Sequence, residues 1–519
     1  MVILKSFTLI RQFCTARPAF TAGILCLLWT CLVRLPFAHV IDNDEAFYSV
    51  VASRWLKGEL PYSASFDIKP PGLFAIFAVA QMLFGSSLAT IKGLEILFTA
   101  WGAYSLHKLM KRHGSPEASV LIGLLYPVFS LFFVGVSSPC QLIQAAFTIA
   151  AFVWLLDSGV AAARRQALLS AGWAGLMIGC ACLVKQTAVF EALGLLGWLV
   201  WQAWLKKDVR PSLIFCAAAA LPVMAFGLYF AVAGHLGDAI EAITMTAVQR
   251  SQLNMSADAG ACPELILRFW HVMAIIKPVI VLIAGSVLAL LRLRRLQLVF
   301  TGPLITLTLI WYAAVVVGLL VLRSPEIWYG YDLIPPALIL FCGILCHGMA
   351  FSPHQRRPWI VAYSVIACLQ PLLMDHKILF SDGPDGRPDY IGNVRAAQSL
   401  KAAGLRHNDS LLVLSRGHYV HVFTHAMPNA RYFNAMHLWC VFPTPDKDPL
   451  AEALSVRPRF IVFSGTDYMI GCAQLDRLKI VEPVLAADYD RVAEVSGRWD
   501  HFSIYRRKID PVAASVTSE

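Results

Sequence analysis

The residues best suited to chemistry in this sequence are a run of acids, Asp42-Asn43-Asp44-Glu45, and a lysine further along, Lys69. The acids open a helical pattern in which Asp44, Tyr48, Val51 and Trp55 share one face at i, i+4, i+7 and i+11. Two roles suit them. As structure, Asp42 is an N-cap with Glu45 as its N3 partner, and acids suit the positive end of a helix. As chemistry, one carboxylate is a general base or a metal ligand, kept ionised by the helix N-terminus. Lys69 lies in Phe66-Asp67-Ile68-Lys69-Pro70-Pro71, where the proline pair imposes an extended chain. It either snorkels to a membrane interface or presents a point charge to a phosphate. Lys185-Gln186, Arg323 and the stretch Trp328-Tyr329-Gly330-Tyr331-Asp332 pose the same choice, since interfacial Trp and Tyr are most often anchors.

Such groups need a scaffold, and composition says which kind. Hydrophobic residues are 58% of the 519 and charged residues 15%, where a soluble domain carries roughly 25% charged. Mean hydropathy is +0.62. A disordered chain, a coiled coil, a secreted disulfide scaffold and a cytosolic enzyme behind a signal peptide are excluded. A helix needs about 20 residues to cross roughly 30 Å of hydrocarbon. Spans are expected at 19–38, 88–107, 117–136, 139–157, 167–184, 188–205, 212–234, 270–291, 300–322, 331–350 and 358–375. The fold class is thus a polytopic α-helical membrane protein with about 11 transmembrane helices.

The basic N-terminus, Lys108/Lys111/Arg112, Arg164/Arg165, Lys206/Lys207/Arg210, Arg292/Arg294/Arg295 and Arg356/Arg357 fall on alternate loops. The positive-inside rule makes that side cytoplasmic, with the N-terminus inside. Residues 39–87 and everything after 375 then face out. Gly72–Gly85 is apolar but too short to cross, and the parity of the basic loops keeps it on the outer face. The domains expected are therefore a transmembrane domain over 1–375, with an extracytoplasmic first loop 39–87, and an extracytoplasmic α/β domain over 376–519. In the latter, LLVL at 411–414 and FIVF at 460–463 have strand length, Asp389–Ala403 has helical spacing, and Arg491–Val495 and Phe502–Tyr505 flank Gly497 like a hairpin.

The net charge of +10 points first to anionic membrane lipids and not to nucleic acid. No Walker A loop, GxGxxG, GxSxG, HExxH or paired CxxC occurs. The spans look nearly free of buried charge, which disfavours a transporter or lipid flippase, the rival reading. Lys92 and Glu95 are an i,i+3 pair suited to mutual neutralisation. His418, His421 and His425, at i, i+3 and i+7, could share a helical face and a zinc ion. Cys440 and Cys472 could form a bridge if they lie outside, while Cys180 and Cys182 read as core.

Asp44-Glu45 with Tyr48 after the first span, then Tyr62 and the F-D-x-K-P-P run opening an apolar segment, resemble the GT-C glycosyltransferases. The nearest branch is the protein O-mannosyltransferase and lipid A aminoarabinose transferase superfamily, with its bacterial lipopolysaccharide-core relatives. Lys185-Gln186, the aromatic turn before Pro335-Pro336, and Arg431-Tyr432-Phe433 after Pro428 are similar too. The resemblance implies an inverting, single-displacement transfer of a sugar from a polyprenyl-phosphate donor to a lipid, glycan or protein acceptor. It implies an integral protein of the bacterial inner membrane. Asp44 would be the base, supported by Asp42 and Glu45. Lys69 would bind the donor phosphate, with Lys185 and Arg323 beside it, and Tyr48, Tyr62, Gln186 and Tyr331 would line the pocket. The acids are compatible with a divalent metal, though metal use varies in the superfamily. Where relatives often carry an acid at the start of the fourth span, this chain has Gln141.

Overall fold

A computed structural model of the chain describes residues 17–131, 137, 139–157, 164–245, 302–322, 327–348, 361, 365, 390–439, 448–464, 478–497 and 501–508. It forms two compact units. One comprises residues 1–38, 93–225 and 258–374; the other comprises 39–92, 226–257 and 375–519.

The first unit is a bundle of apolar helices. Pro18–Arg34, Leu88–His113, Pro116–Phe129, Pro139–Asp157, Arg164–Val184, Ala188–Lys206, Arg210–Val232, Pro303–Leu322 and Ile334–Gly348 coincide with expected spans. Among the described residues, six stretches are long and apolar enough to cross a membrane; Pro116–Phe129 and Gly330–Gly343 are shorter. The spans expected at 270–291 and 358–375 lie outside the described residues, apart from helical positions 361 and 365. Local sequence sets the helix ends. Ser115 accepts the Ala118 N–H at 3.2 Å, and Pro116 occupies the first turn, where its missing N–H costs nothing. Gly175 and Gly179 let two helices meet backbone to backbone, because a Cβ at either would strike the carbonyl oxygens of Phe215 and Ala219. This is the small-xxx-small spacing of membrane helix pairs.

One expectation fails here. The spans are not nearly free of buried charge: Arg34 pairs with Glu95 at 3.2 Å, both buried, and Glu191, a further ionisable group, is 3% exposed inside the bundle. Apolar surroundings admit these groups because each is hydrogen-bonded.

In the second unit, Asn43–Leu56 and Pro71–Phe84 are helices joined by an irregular loop. Pro71–Phe84 ends at Gly85, whose φ of 77° breaks the helical run. The short apolar run is therefore a helix of its own, not the start of a straight span. The C-terminal part carries the expected strands as a sheet ordered β1 (Leu411–Val413), β2 (Phe460–Phe463), β4 (His501–Arg507), β3 (Tyr489–Ser496). β1 and β2 are parallel, with Leu411 opposite Phe460; β4 runs antiparallel to both neighbours. The helix Tyr390–Ala402 covers the sheet with Ala396, Ala397 and Leu400 against Val413, Phe460 and Ile504.

Candidate active site

The start of the Asn43 helix separates the three acids. Asp42 is its N-cap, with Oδ1 accepting the Asp44 N–H at 2.9 Å. Glu45 completes the capping box by accepting the Asp42 N–H at 3.0 Å. Glu45 is also fully buried. Lys92 Nζ lies 3.0 Å from each of its carboxylate oxygens, and the Tyr419 hydroxyl donates to Oε1 at 2.6 Å. An ammonium thus occupies the place beside Glu45 that a divalent cation would need. Asp44 differs from both. It is exposed, and its Oδ2 accepts from the Tyr48 hydroxyl one turn on at 3.2 Å. Tyr48 itself is buried between Phe74 and Phe77.

Lys69 sits half-buried in the loop before the Pro71 helix. Tyr62 fixes that loop: it is fully buried at φ 71°, and its hydroxyl donates to the Lys69 carbonyl at 2.8 Å. Burial, with Asp67 nearby, pushes the Tyr62 phenol well above its ordinary value, so it stays a donor. Arg54, on the Asn43 helix, donates to Glu59 at 2.6 Å and to the Ala430 carbonyl at 2.7 Å.

The bundle holds the other candidates. Lys185 is 1% exposed, with Nζ 3.9 Å from Asp332 Oδ2. Gln186 is half-buried beside it. Tyr331, fully buried, meets the Tyr126 hydroxyl at 3.2 Å. Arg323 lies outside the described residues. Glu191 was not anticipated. It accepts from Gln144 at 2.9 Å, Thr148 at 3.0 Å and Trp311 at 2.8 Å. An acid within an apolar run was the available signal. Lys92 and Glu95 find partners beyond their own helix, in Glu45 and Arg34.

The histidines do not form a zinc set. The helix there is only Tyr419–Thr424, so His425 is its left-handed C-cap and faces His407, with ring centroids 6.2 Å apart. His418 and His421 stack at 6.0 Å and are fully buried. Burial lowers both pKa values, His418 well below the usual 6.5 and His421 to about 4, so both rings are neutral. Among the described residues no group of three His, Cys, Asp or Glu could hold a metal. Cys440 and Cys472 lie outside the described residues.

Residues 68–230 match the family model described as dolichyl-phosphate-mannose-protein mannosyltransferase. That stretch includes Lys69, Lys185 and Gln186 but not the acids at 42–45. Among solved structures, the chain is similar to ArnT from Cupriavidus metallidurans bound to undecaprenyl phosphate, at 14% identity and a TM-score of 0.59, over 94% of this chain and 98% of that one. The apo form of the same protein matches at 13% identity and a TM-score of 0.58, with the same coverage. The chain has the GT-C fold. The match extends over 94% of the chain, and the apolar helices make the chain an integral membrane protein. No curated protein matches it by sequence.

Proposed function

We propose that this GT-C protein transfers a sugar from a polyprenyl-phosphate donor to an acceptor outside the cytoplasm, with inversion. Asp44 is the base, and Lys69 is the main ligand of the donor phosphate, with Lys185 and Arg323 as further cations. The observation that carries this reading is the division of labour at the Asn43 helix. Asp42 caps the helix and Glu45 neutralises a buried lysine, whereas Asp44 faces outward with Tyr48 beside it. A structural role accounts for two of the acids and leaves the third over.

The chemistry needs little else. The carboxylate of Asp44 takes the proton of an acceptor hydroxyl as that oxygen attacks the anomeric carbon. The bond from that carbon to the phosphate oxygen breaks, and its electron pair leaves with the polyprenyl phosphate. A phosphate is a good leaving group, so cations that stabilise its growing charge can replace a general acid. One carboxylate acting opposite the leaving group gives inversion, as in inverting hydrolases. The acid set fits a divalent metal poorly, since Asp42 and Glu45 have other partners. The residues from 39 to 87 and after 375 are proposed to lie outside, with the N-terminus in the cytoplasm. The acceptor class is a lipid, a glycan or a protein.

Labelled polyprenyl-phosphate sugars supplied to membranes containing the protein test this reading. Transfer to endogenous acceptors is expected. Movement of the lipid across the bilayer without transfer would support the transporter reading instead.

A further inference from the structure

The loop that carries Lys69 is fastened by a segment for which the activity proposed above assigns no role, residues 431–437. Three contacts join them. The Phe66 N–H donates to the Arg431 carbonyl at 2.9 Å. Arg431 Nε donates to the Tyr62 carbonyl at 3.0 Å. His437 Nε2 lies 3.3 Å from Asp67 Oδ1. The last two lead on to the backbone that carries the lysine. Asp67 Oδ1 also accepts the Ile68 N–H at 2.7 Å, and the Tyr62 hydroxyl holds the Lys69 carbonyl at 2.8 Å.

Two further observations mark this as more than packing. Tyr62 keeps a left-handed φ of 71°, a strained conformation for an aromatic residue that persists only where its surroundings over-determine it. Here its N–H, its carbonyl and its phenol are all bonded. Asp67 and His437 are 3% and 2% exposed, and the imidazole stands edge-on to Phe66 at 5.2 Å. Two apolar side chains would cover the loop at a smaller desolvation cost than a buried carboxylate and imidazole. What the polar pair adds is direction, because a hydrogen bond fixes where Asp67 points and so where the backbone of Ile68 and Lys69 runs.

We infer that His437 is a positioning residue for Lys69: its Nε2–H orients Asp67, and Asp67 orients the backbone from which the Lys69 ammonium reaches the donor phosphate. The inference rests on the role proposed for Lys69. It assigns to the C-terminal α/β part a task in donor binding, carried out by His437 and supported by Arg431.

The test is equilibrium binding of undecaprenyl phosphate to the purified full-length protein, with melting temperature checked for every variant. Lys69→Ala is expected to weaken binding by about 10-fold or more, as the loss of a charged contact does. His437→Ala should weaken it by roughly 3- to 10-fold, the range of coupled neighbours, and should add almost nothing in the Lys69→Ala background. Gln places a donor where the imidazole has Nε2, whereas Asn places one where it has Nδ1. His437→Gln should therefore bind like wild type, and His437→Asn like His437→Ala. An unchanged affinity in Lys69→Ala would overturn the role of the lysine itself. If Lys69→Ala binds weakly while His437→Ala binds normally, or weakens binding equally in both backgrounds, only the positioning role is overturned. If His437→Ala does not fold, the Gln and Asn variants decide, and equal affinities for those two would overturn the inference.

Discussion

Asp44 at the start of the Asn43 helix and Glu191 in the interior of the bundle are handled in opposite ways. Glu191 is enclosed by three neutral donors, from Gln144, Thr148 and Trp311, on other helices of the same unit. It ties helices together and is shut off from solvent. At the Asn43 helix, two acids are tied in the same manner, Asp42 to the helix end and Glu45 to Lys92 and Tyr419, while Asp44 between them is exposed. Burial with a full set of partners marks a structural acid. Exposure at a helix N-terminus, next to a tyrosine hydroxyl, is what a working base requires.

The largest effect is expected at Glu45. Glu45→Ala strips a buried lysine of its carboxylate and leaves the Tyr419 hydroxyl without its acceptor, so a stability loss of about 3–5 kcal/mol is expected. Thermal or denaturant unfolding in detergent measures it. A variant as stable as wild type would show that Lys92 is satisfied without Glu45.

Glu191→Ala probes the interior of the bundle. It leaves three donors without an acceptor, at a cost of about 1–3 kcal/mol. The loss should appear in melting temperature while the donor KM stays unchanged. A raised donor KM in a well-folded variant would move Glu191 from scaffold to substrate site.

A further effect is set by pH. His421 is neutral when folded, with its pKa lowered to about 4 by burial and by Arg54. Its unfolded value is about 6.5. Between these values the unfolded chain binds more protons, so stability rises with pH and is lost progressively as pH falls from about 6.5 towards 4. His418, lowered in the same direction, adds to the slope. Asn mimics the Nδ1 edge that bonds to the Ala426 carbonyl, so His421→Asn should flatten the pH dependence of the melting temperature. An unaltered slope would assign the acid sensitivity to other groups.

Much of this was legible in the sequence because it is local. The capping box at Asp42 and Glu45, the strand-length runs at 411–414 and 460–463, and the shortness of the apolar run that ends at Gly85 follow from rules that act over a few residues. The partners of those residues were not legible. Lys92 and Glu95 looked like a self-sufficient pair, yet Lys92 binds Glu45 and Glu95 binds Arg34, each far away in sequence. Nothing local marks Tyr419 or His437 as neighbours of the first loop, since only packing within the second unit brings them to Glu45 and Asp67. The three histidines failed for the reverse reason. Their spacing assumes a helix longer than the six residues of Tyr419–Thr424.

The role of Asp44 as the base can be read from the rate of sugar transfer in membranes for Asp44→Asn, with Asp42→Asn as its control. Asn is isosteric with Asp and caps a helix about as well, so both variants should fold, and expression level and melting temperature check this. An amide cannot take a proton, so Asp44→Asn is expected to lose about 10²–10⁴ in rate while Asp42→Asn stays close to wild type. Near-normal transfer by well-folded Asp44→Asn would remove Asp44 as the base and leave it as one more acid at a helix start.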